Sequence, residues 1–195
     1  MKNYLFYFLS IITIFIIAES CSTTSQFYRY NINNINYKGY SGQLSNSTFI
    51  ALKQYLSNTT SSKLKDTIII KYDYNYETCW DILDQREDDY IMGFVTRSRE
   101  IVQQVLASRQ NVSVFKFREP GRRLNKIKKF DNSIIIDSSK QLFNLLFKER
   151  CTCGSSIIIM PDKRFIFLCS DSHFKILELT QKQIGDILDK KNGYQ

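Results

Sequence analysis

The sequence predicts an α/β fold, because strand-like and helix-like segments alternate along most of its 195 residues. Residues 67–74 (TIIIKYDY) begin with three consecutive Ile, which is typical of a strand buried on both faces of a sheet. Residues 155–160 (SSIIIM) and 164–169 (RFIFLC) flank a short Pro-Asp-Lys turn and predict an antiparallel hairpin. Alternating strands and helices imply parallel crossovers, so we expect a mixed sheet that ends in this hairpin and a last helix.

Local patterns place the remaining elements. Residues 48–56 carry apolar side chains at helical spacing, and residues 98–109 combine Ser98 as a helix cap with an apolar stripe. The acidic group between Asp84 and Asp89 is interpreted as a solvated face, within a segment whose structure the pattern does not decide. The other elements are a strand near 27–32, strands at 111–117 and 133–136, a helix after Ser138 or Ser139, and a last helix from Thr180.

The N-terminus predicts export. Met1-Lys2-Asn3 is a short basic start, and residues 5–18 form an apolar run that is shorter than the ~20 residues of a membrane-spanning helix. Residues 1–20 are therefore interpreted as a signal peptide. Ala18-Glu19-Ser20-Cys21 resembles the lipobox of bacterial lipoproteins, and the resemblance implies lipid on Cys21 and anchoring to a membrane of the cell envelope. An ordinary cleaved signal is the alternative.

The rest of the chain divides into a polar tether at 21–47, in which Gly39 and Gly42 break any pattern, and one domain at 48–195. About 175 residues fit a single domain, and the count of seven Gly and two Pro disfavours a turn-dense β-sandwich. The formal charge of +8 is compatible with binding to an anionic surface or to a protein partner.

Basic side chains concentrate between residues 116 and 129. A solvated loop is the simpler interpretation, and a basic surface for a partner is the alternative. No aromatic residues interleave with these charges between Phe117 and Phe130, so specific binding of nucleic acid is not predicted. The candidate basic surface consists of Arg122, Arg123, Lys126, Lys128 and Lys129.

The order of the elements between residues 48 and 191 resembles the thioredoxin-like fold. The resemblance also rests on the strand-turn-strand of SSIIIMPDKRFIFL, and it implies a three-layer α/β sandwich with a mixed central sheet. In that family a redox Cys-x-x-Cys pair follows the central strand. Here Cys79 stands at the first position of the pair and Ile82 at the second, and no Pro occupies the family's place before the first hairpin strand.

The resemblance brings the loop before residue 155 beside the helix that follows the central strand, so Cys151 and Cys153 are expected near Cys79. A structural disulfide from Cys79 to Cys151 or Cys153 is one interpretation. A thiol cluster in which Cys79 attacks and Cys151 or Cys153 resolves the mixed disulfide is another. A metal site made of these cysteines and His173 is a third, but the ligand spacing of structural zinc sites is absent. His173, the single histidine, is expected in a surface turn.

We therefore expect, first, a membrane-anchored lipoprotein with a thioredoxin-like domain in a binding or structural role, without cofactor or metal. The alternative function is a thiol–disulfide oxidoreductase that uses Cys79 with Cys151 or Cys153. The two differ in whether Cys79 reacts.

Overall fold

The structure of the protein is a computed structural model that describes residues 27–123 and 125–189. The predicted signal peptide at 1–20 and the predicted lipidation site Cys21 lie outside these residues. Among the helices that the described ranges contain, none is long and apolar enough to cross a membrane.

One mixed sheet of seven strands organises the described residues. In space the strands follow the order β1-β2-β7-β6-β3-β4-β5, with β3 parallel to β4, β4 parallel to β5, and the remaining neighbours antiparallel. The strands are β1 (Tyr28–Ile32), β2 (Ile35–Gln43), β3 (Thr67–Asp73), β4 (Val112–Arg118), β5 (Ile134–Ile136), β6 (Ser155–Ile159) and β7 (Arg164–Cys169).

Helices cover both faces of this sheet, which gives three layers. The helices are α1 (Asn46–Thr59), α2 (Thr78–Asp84), α3 (Asp88–Ser108), α4 (Asn125–Phe130), α5 (Gln141–Leu146) and α6 (Gln181–Asp189), with a 3₁₀ helix at Lys175–Glu178. The predicted α/β architecture is confirmed in its mixed sheet, its C-terminal hairpin of β6 and β7, and its final helix.

Alternation along β3 assigns each of its side chains to one face of the sheet. Ile68, Ile70 and Tyr72 pack with α1 and α5 in one apolar cluster. Ile69 packs with α3, α6 and the 3₁₀ helix in another. The same alternation places Lys71 on the face of Ile69, where an apolar side chain is expected.

The strand predicted near 27–32 is present as β1, whereas residues 35–43, predicted as part of the polar tether at 21–47, form β2 instead. Asn33 and Asn34 both adopt positive φ (50° and 65°), so they make the two-residue turn that suits a hairpin. Gly39, which suggested a break in the pattern, is required by close packing instead. A Cβ there would lie 2.3 Å from the Phe167 carbonyl oxygen of β7.

The helix predicted at 98–109 begins ten residues earlier, at Asp88. Asp88 and Asp89 lie in its first turn, where negative charge stabilises the helix dipole. Ile91 and Val95 anchor this first half against Trp80 and Ile127 in a third apolar cluster. Burial of that face outweighs the capping signal of Ser98.

Candidate functional site

The site is built around a disulfide between Cys79 and Cys153 at the carboxyl end of the central strand. Cys79 lies in the first turn of α2, directly after β3, and Cys153 lies in the loop before β6. Their Cα atoms are 5.9 Å apart. Both residues are partly exposed, so the bridge is accessible from the surface.

A second disulfide joins Cys151 to Cys169 at the end of β7. Cys169 is 4% exposed and packs in the cluster beneath α1 and α5, whereas Cys79 and Cys153 border the cluster around Trp80. The two bridges therefore fix the loop of Cys151 and Cys153 to neighbours on opposite faces of the sheet.

The sequence-predicted cysteines are thus brought together only in part. Cys153 approaches Cys79 as expected, but the predicted cluster of three thiols is wrong because Cys151 bonds to Cys169. The third interpretation, a metal site, does not fit, since the two bridges use all three thiols that it would need. No group of three or more metal-ligating side chains occurs within the described ranges.

The Cys79–Cys153 bridge opens on a cleft of about 200 Å³. Two of the residues that line it are exposed apolar side chains: Ile82 is 60% exposed and Tyr90 58%. Side chains of this size are normally buried, so their exposure beside a disulfide is compatible with an apolar partner. The cleft is lined by Cys79, Trp80, Ile82, Leu83, Arg86, Tyr90, Phe94, Cys153, Ser172 and His173.

A buried ion pair lies behind the bridge. Lys71 Nζ is 3.0 Å from Asp73 Oδ1, and both side chains are less than a tenth exposed. Asp73 also packs against Gly154, the neighbour of Cys153, because a Cβ on Gly154 would lie 2.9 Å from Asp73 Oδ1. Burial raises the pKa of Asp73, while the charge of Lys71 opposes this shift.

His173 enters the cleft from the turn after β7. Its ring makes an edge contact with Phe94, with 6.0 Å between the ring centroids. Burial lowers the pKa of His173, and the charges of Lys71 and Lys175 add to this effect. The prediction of a surface turn is confirmed, since His173 is exposed. No sequence pattern indicates that His173 shares a cleft with Cys79.

Most of the predicted basic surface is partnered by nearby acceptors. Arg123 Nε lies 3.0 Å from Asp81 Oδ1, and Lys129 Nζ lies 2.7 Å from Asp88 Oδ2. Lys126 Nζ donates to the Arg86 carbonyl oxygen at 2.5 Å and lies 3.8 Å from Asp88. Arg122 and Lys128 are exposed.

The ion pair between Arg123 and Asp81 affects the thiol chemistry of Cys79. The carboxylate of Asp81 is expected to disfavour a thiolate on Cys79 two residues away, and the ion pair with Arg123 reduces that repulsion. Sequence spacing alone does not reveal the pair, because Asp81 and Arg123 are 42 positions apart in the chain.

Comparison with known proteins finds no matching family model and no matching curated protein. Two solved structures are similar. One is the DsbF of Mycobacterium tuberculosis in mixed oxidised and reduced forms, with 12% identity, a TM-score of 0.36, and coverage of 60% of this chain and 83% of that chain. The other is a secreted M. tuberculosis disulfide oxidoreductase homologous to E. coli DsbE, with 8% identity, a TM-score of 0.34, and coverage of 64% and 81%.

Proposed function

We propose that this protein exchanges thiols and disulfides with a polypeptide partner at the Cys79–Cys153 bridge, on the outside of a bacterial membrane. The observation that carries the proposal is the position of this bridge, which is partly exposed in a cleft with apolar side chains around it. The first expectation from the sequence, a domain without thiol chemistry, rested on the missing second cysteine of a Cys-x-x-Cys pair. In this fold Cys153 supplies a second sulfur from another loop.

The exchange has two balanced steps. A partner thiolate attacks the Cys79 sulfur, the Cys79–Cys153 bond breaks, and Cys153 leaves as a thiolate. A second partner thiolate then attacks its own sulfur in the mixed disulfide, which releases Cys79 as a thiolate and leaves the partner oxidised. The same steps run in reverse when the partner is a disulfide, and the relative reduction potentials decide the direction.

The Cys151–Cys169 bridge has a structural role in this proposal. Cys169 is buried, and the bridge fixes the loop that carries Cys153 to the end of β7. Its removal should lower stability without abolishing exchange.

A trapping experiment tests the reaction. The probe is the disulfide-linked dimer of a short cysteine peptide. Reduced Cys153→Ser protein should form a stable mixed disulfide between Cys79 and one peptide, with release of the other peptide as a thiol. The reduced wild-type chain should release both peptides as thiols, because Cys153 resolves the adduct and restores the bridge.

The matched control is the Cys151→Ala/Cys169→Ala chain, which retains Cys79 and Cys153 and should behave like the wild type. Adducts that form on Cys153→Ser no faster than on a free cysteine peptide would contradict the proposal. Cys79→Ser lacks the attacking thiol, so it should form no adduct that is then resolved by Cys153.

A binding role without thiol chemistry is the second candidate. It is favoured by the pairing of all four cysteines among the described residues, since two bridges that fix one loop also make a rigid scaffold. In that case the bridge at Cys79 resists mild reductant, and the trapping experiment gives adducts no faster than a free cysteine peptide does.

The cellular location is a proposal from the first 21 residues. The basic start, the apolar run and Cys21 support export and a lipid anchor, and several acyl chains would hold the domain on the membrane. The intact mass of membrane-extracted protein should correspond to a chain that begins at lipidated Cys21. Cys21→Ser should release the domain from the membrane fraction, and unchanged membrane association would contradict the anchor.

A further inference from the structure

We propose that the His173 imidazole accepts the proton of a thiol that enters the cleft and delivers it to the sulfur of Cys153. This inference rests on the proposed exchange at Cys79–Cys153, and it assigns a base to that reaction. His173 is the single histidine of the chain and lines the same cleft as both bridged cysteines. Nothing in the spacing of the sequence predicts this arrangement.

The turn that carries His173 is fixed on both sides. The preceding carbonyl oxygen, of Ser172, accepts a hydrogen bond of 2.8 Å from Lys71 Nζ. Asp171 is fully buried, contacts the hydroxyl of Ser156, and accepts from the backbone N–H of Lys175 and of Ile176. A base held by backbone contacts of this kind is pre-oriented, which reduces the cost of placing it beside a reacting sulfur.

Charged and titratable groups surround His173 on several elements. Lys71 of β3, Arg97 of α3 and Lys175 of the 3₁₀ helix each lower its pKa, as does burial, whereas Asp171 in its own turn raises it. Arg86 and Tyr90 line the same cleft. The balance keeps the imidazole neutral at pH 7, which is the form that accepts a proton.

The proposed step conserves protons and electrons. The entering thiol transfers its proton to His173, its sulfur bonds to the Cys79 sulfur, and the Cys79–Cys153 bond breaks. The Cys153 thiolate then takes the proton from the His173 imidazolium, so both the thiol and the imidazole return to neutral forms. No oxidant other than the bridge itself is needed.

The pH dependence of the first step tests this assignment. For attack by a pre-formed thiolate, the rate rises about tenfold per pH unit below the thiol pKa of ~8.5. For attack assisted by neutral His173, the rate depends on the thiol and the neutral imidazole, so it stays nearly constant between pH 7 and 8. The measurement follows opening of the Cys79–Cys153 bridge in the oxidised full chain under a large excess of cysteine peptide, by acid quench, alkylation of the freed thiols and intact mass.

The variants are His173→Asn and His173→Gln, whose amides hydrogen-bond near the positions of the two ring nitrogens but do not titrate. The wild type should show the nearly constant rate, while both variants should be about tenfold or more slower at pH 7 and rise steeply with pH. A role of His173 in folding alone would not change the slope of this profile. Unchanged disulfide masses and melting curves establish that the variants are folded.

Two results would overturn the inference, and they are distinguishable. Equal rates and equal steep slopes for the wild type and both variants would remove His173 as a base while leaving the exchange at Cys79–Cys153 intact. An oxidised wild-type chain whose Cys79–Cys153 bridge is not opened by the peptide at any pH would remove the proposed exchange and this inference together.

Discussion

Lys71 Nζ lies 3.0 Å from Asp73 Oδ1, and this buried ion pair contacts the backbone on both sides of the candidate site. Lys71 donates to the carbonyl oxygen of Ser172, next to His173. Asp73 packs against Gly154, next to Cys153. The pair therefore contacts the backbone next to Cys153 and the backbone next to His173.

Lys71→Met should destabilise the oxidised protein strongly. The substitution leaves the carboxylate of Asp73 buried without its partner, and removing one member of a buried pair costs about 3–5 kcal/mol. Denaturant unfolding with both disulfides intact measures the free energy of unfolding. Lys71→Met/Asp73→Asn removes both charges and should recover part of the loss, and a double variant no more stable than the single one would contradict this account.

Gly154→Ala should also destabilise the fold. Gly154 has a φ of +145°, and a Cβ there would lie 2.8 Å from the Tyr72 carbonyl oxygen and 2.9 Å from Asp73 Oδ1. The strained backbone alone costs about 1–3 kcal/mol. The matched control is Gly93→Ala in α3, where a Cβ meets nothing within 4 Å and should add about 0.5–1 kcal/mol of stability. Equal thermal unfolding of the two variants would disprove the close packing at Gly154.

The contribution of Asp131 should depend on pH. Burial opposes ionisation of Asp131, but hydrogen bonds from Lys116 and Ser133 outweigh it and lower its pKa. Since the folded pKa is below the unfolded value of ~3.9, the stabilisation is present above that value and is lost as the pH falls through the folded pKa. Asp131→Asn should therefore lower the free energy of unfolding at pH 7 and change it little at pH 2. A loss of equal size at both pH values would contradict the assignment.

The central strands were predictable because their apolar residues lie in the buried environment that such residues favour. The three Ile of β3 are buried on both faces, and the apolar runs of β6 and β7 flank a turn of only four residues. In contrast, β2 was mistaken for tether because Gly39 and Gly42 resemble breaks, although Gly39 lies where β7 approaches too closely for a side chain.

The site was predictable only where it follows from strand order. The approach of Cys153 to Cys79 follows once the loop before β6 is placed beside α2. The pairing of Cys151 with Cys169 does not follow from strand order. Cys151 and Cys153 are separated by one position, yet they bond to partners on opposite faces of the sheet. The position of His173 depends on the buried contacts of Lys71 and Asp171, which join distant parts of the chain and leave no local pattern.

The exchange proposed at Cys79–Cys153 is tested most directly by stepwise reduction of the full chain with glutathione, followed by alkylation and intact mass with peptide mapping. The account predicts that the bridge of Cys79 and Cys153 opens first, reversibly, while Cys151 and Cys169 stay bonded. Reduction that opens Cys151–Cys169 first, or that opens both bridges only on unfolding, would contradict it.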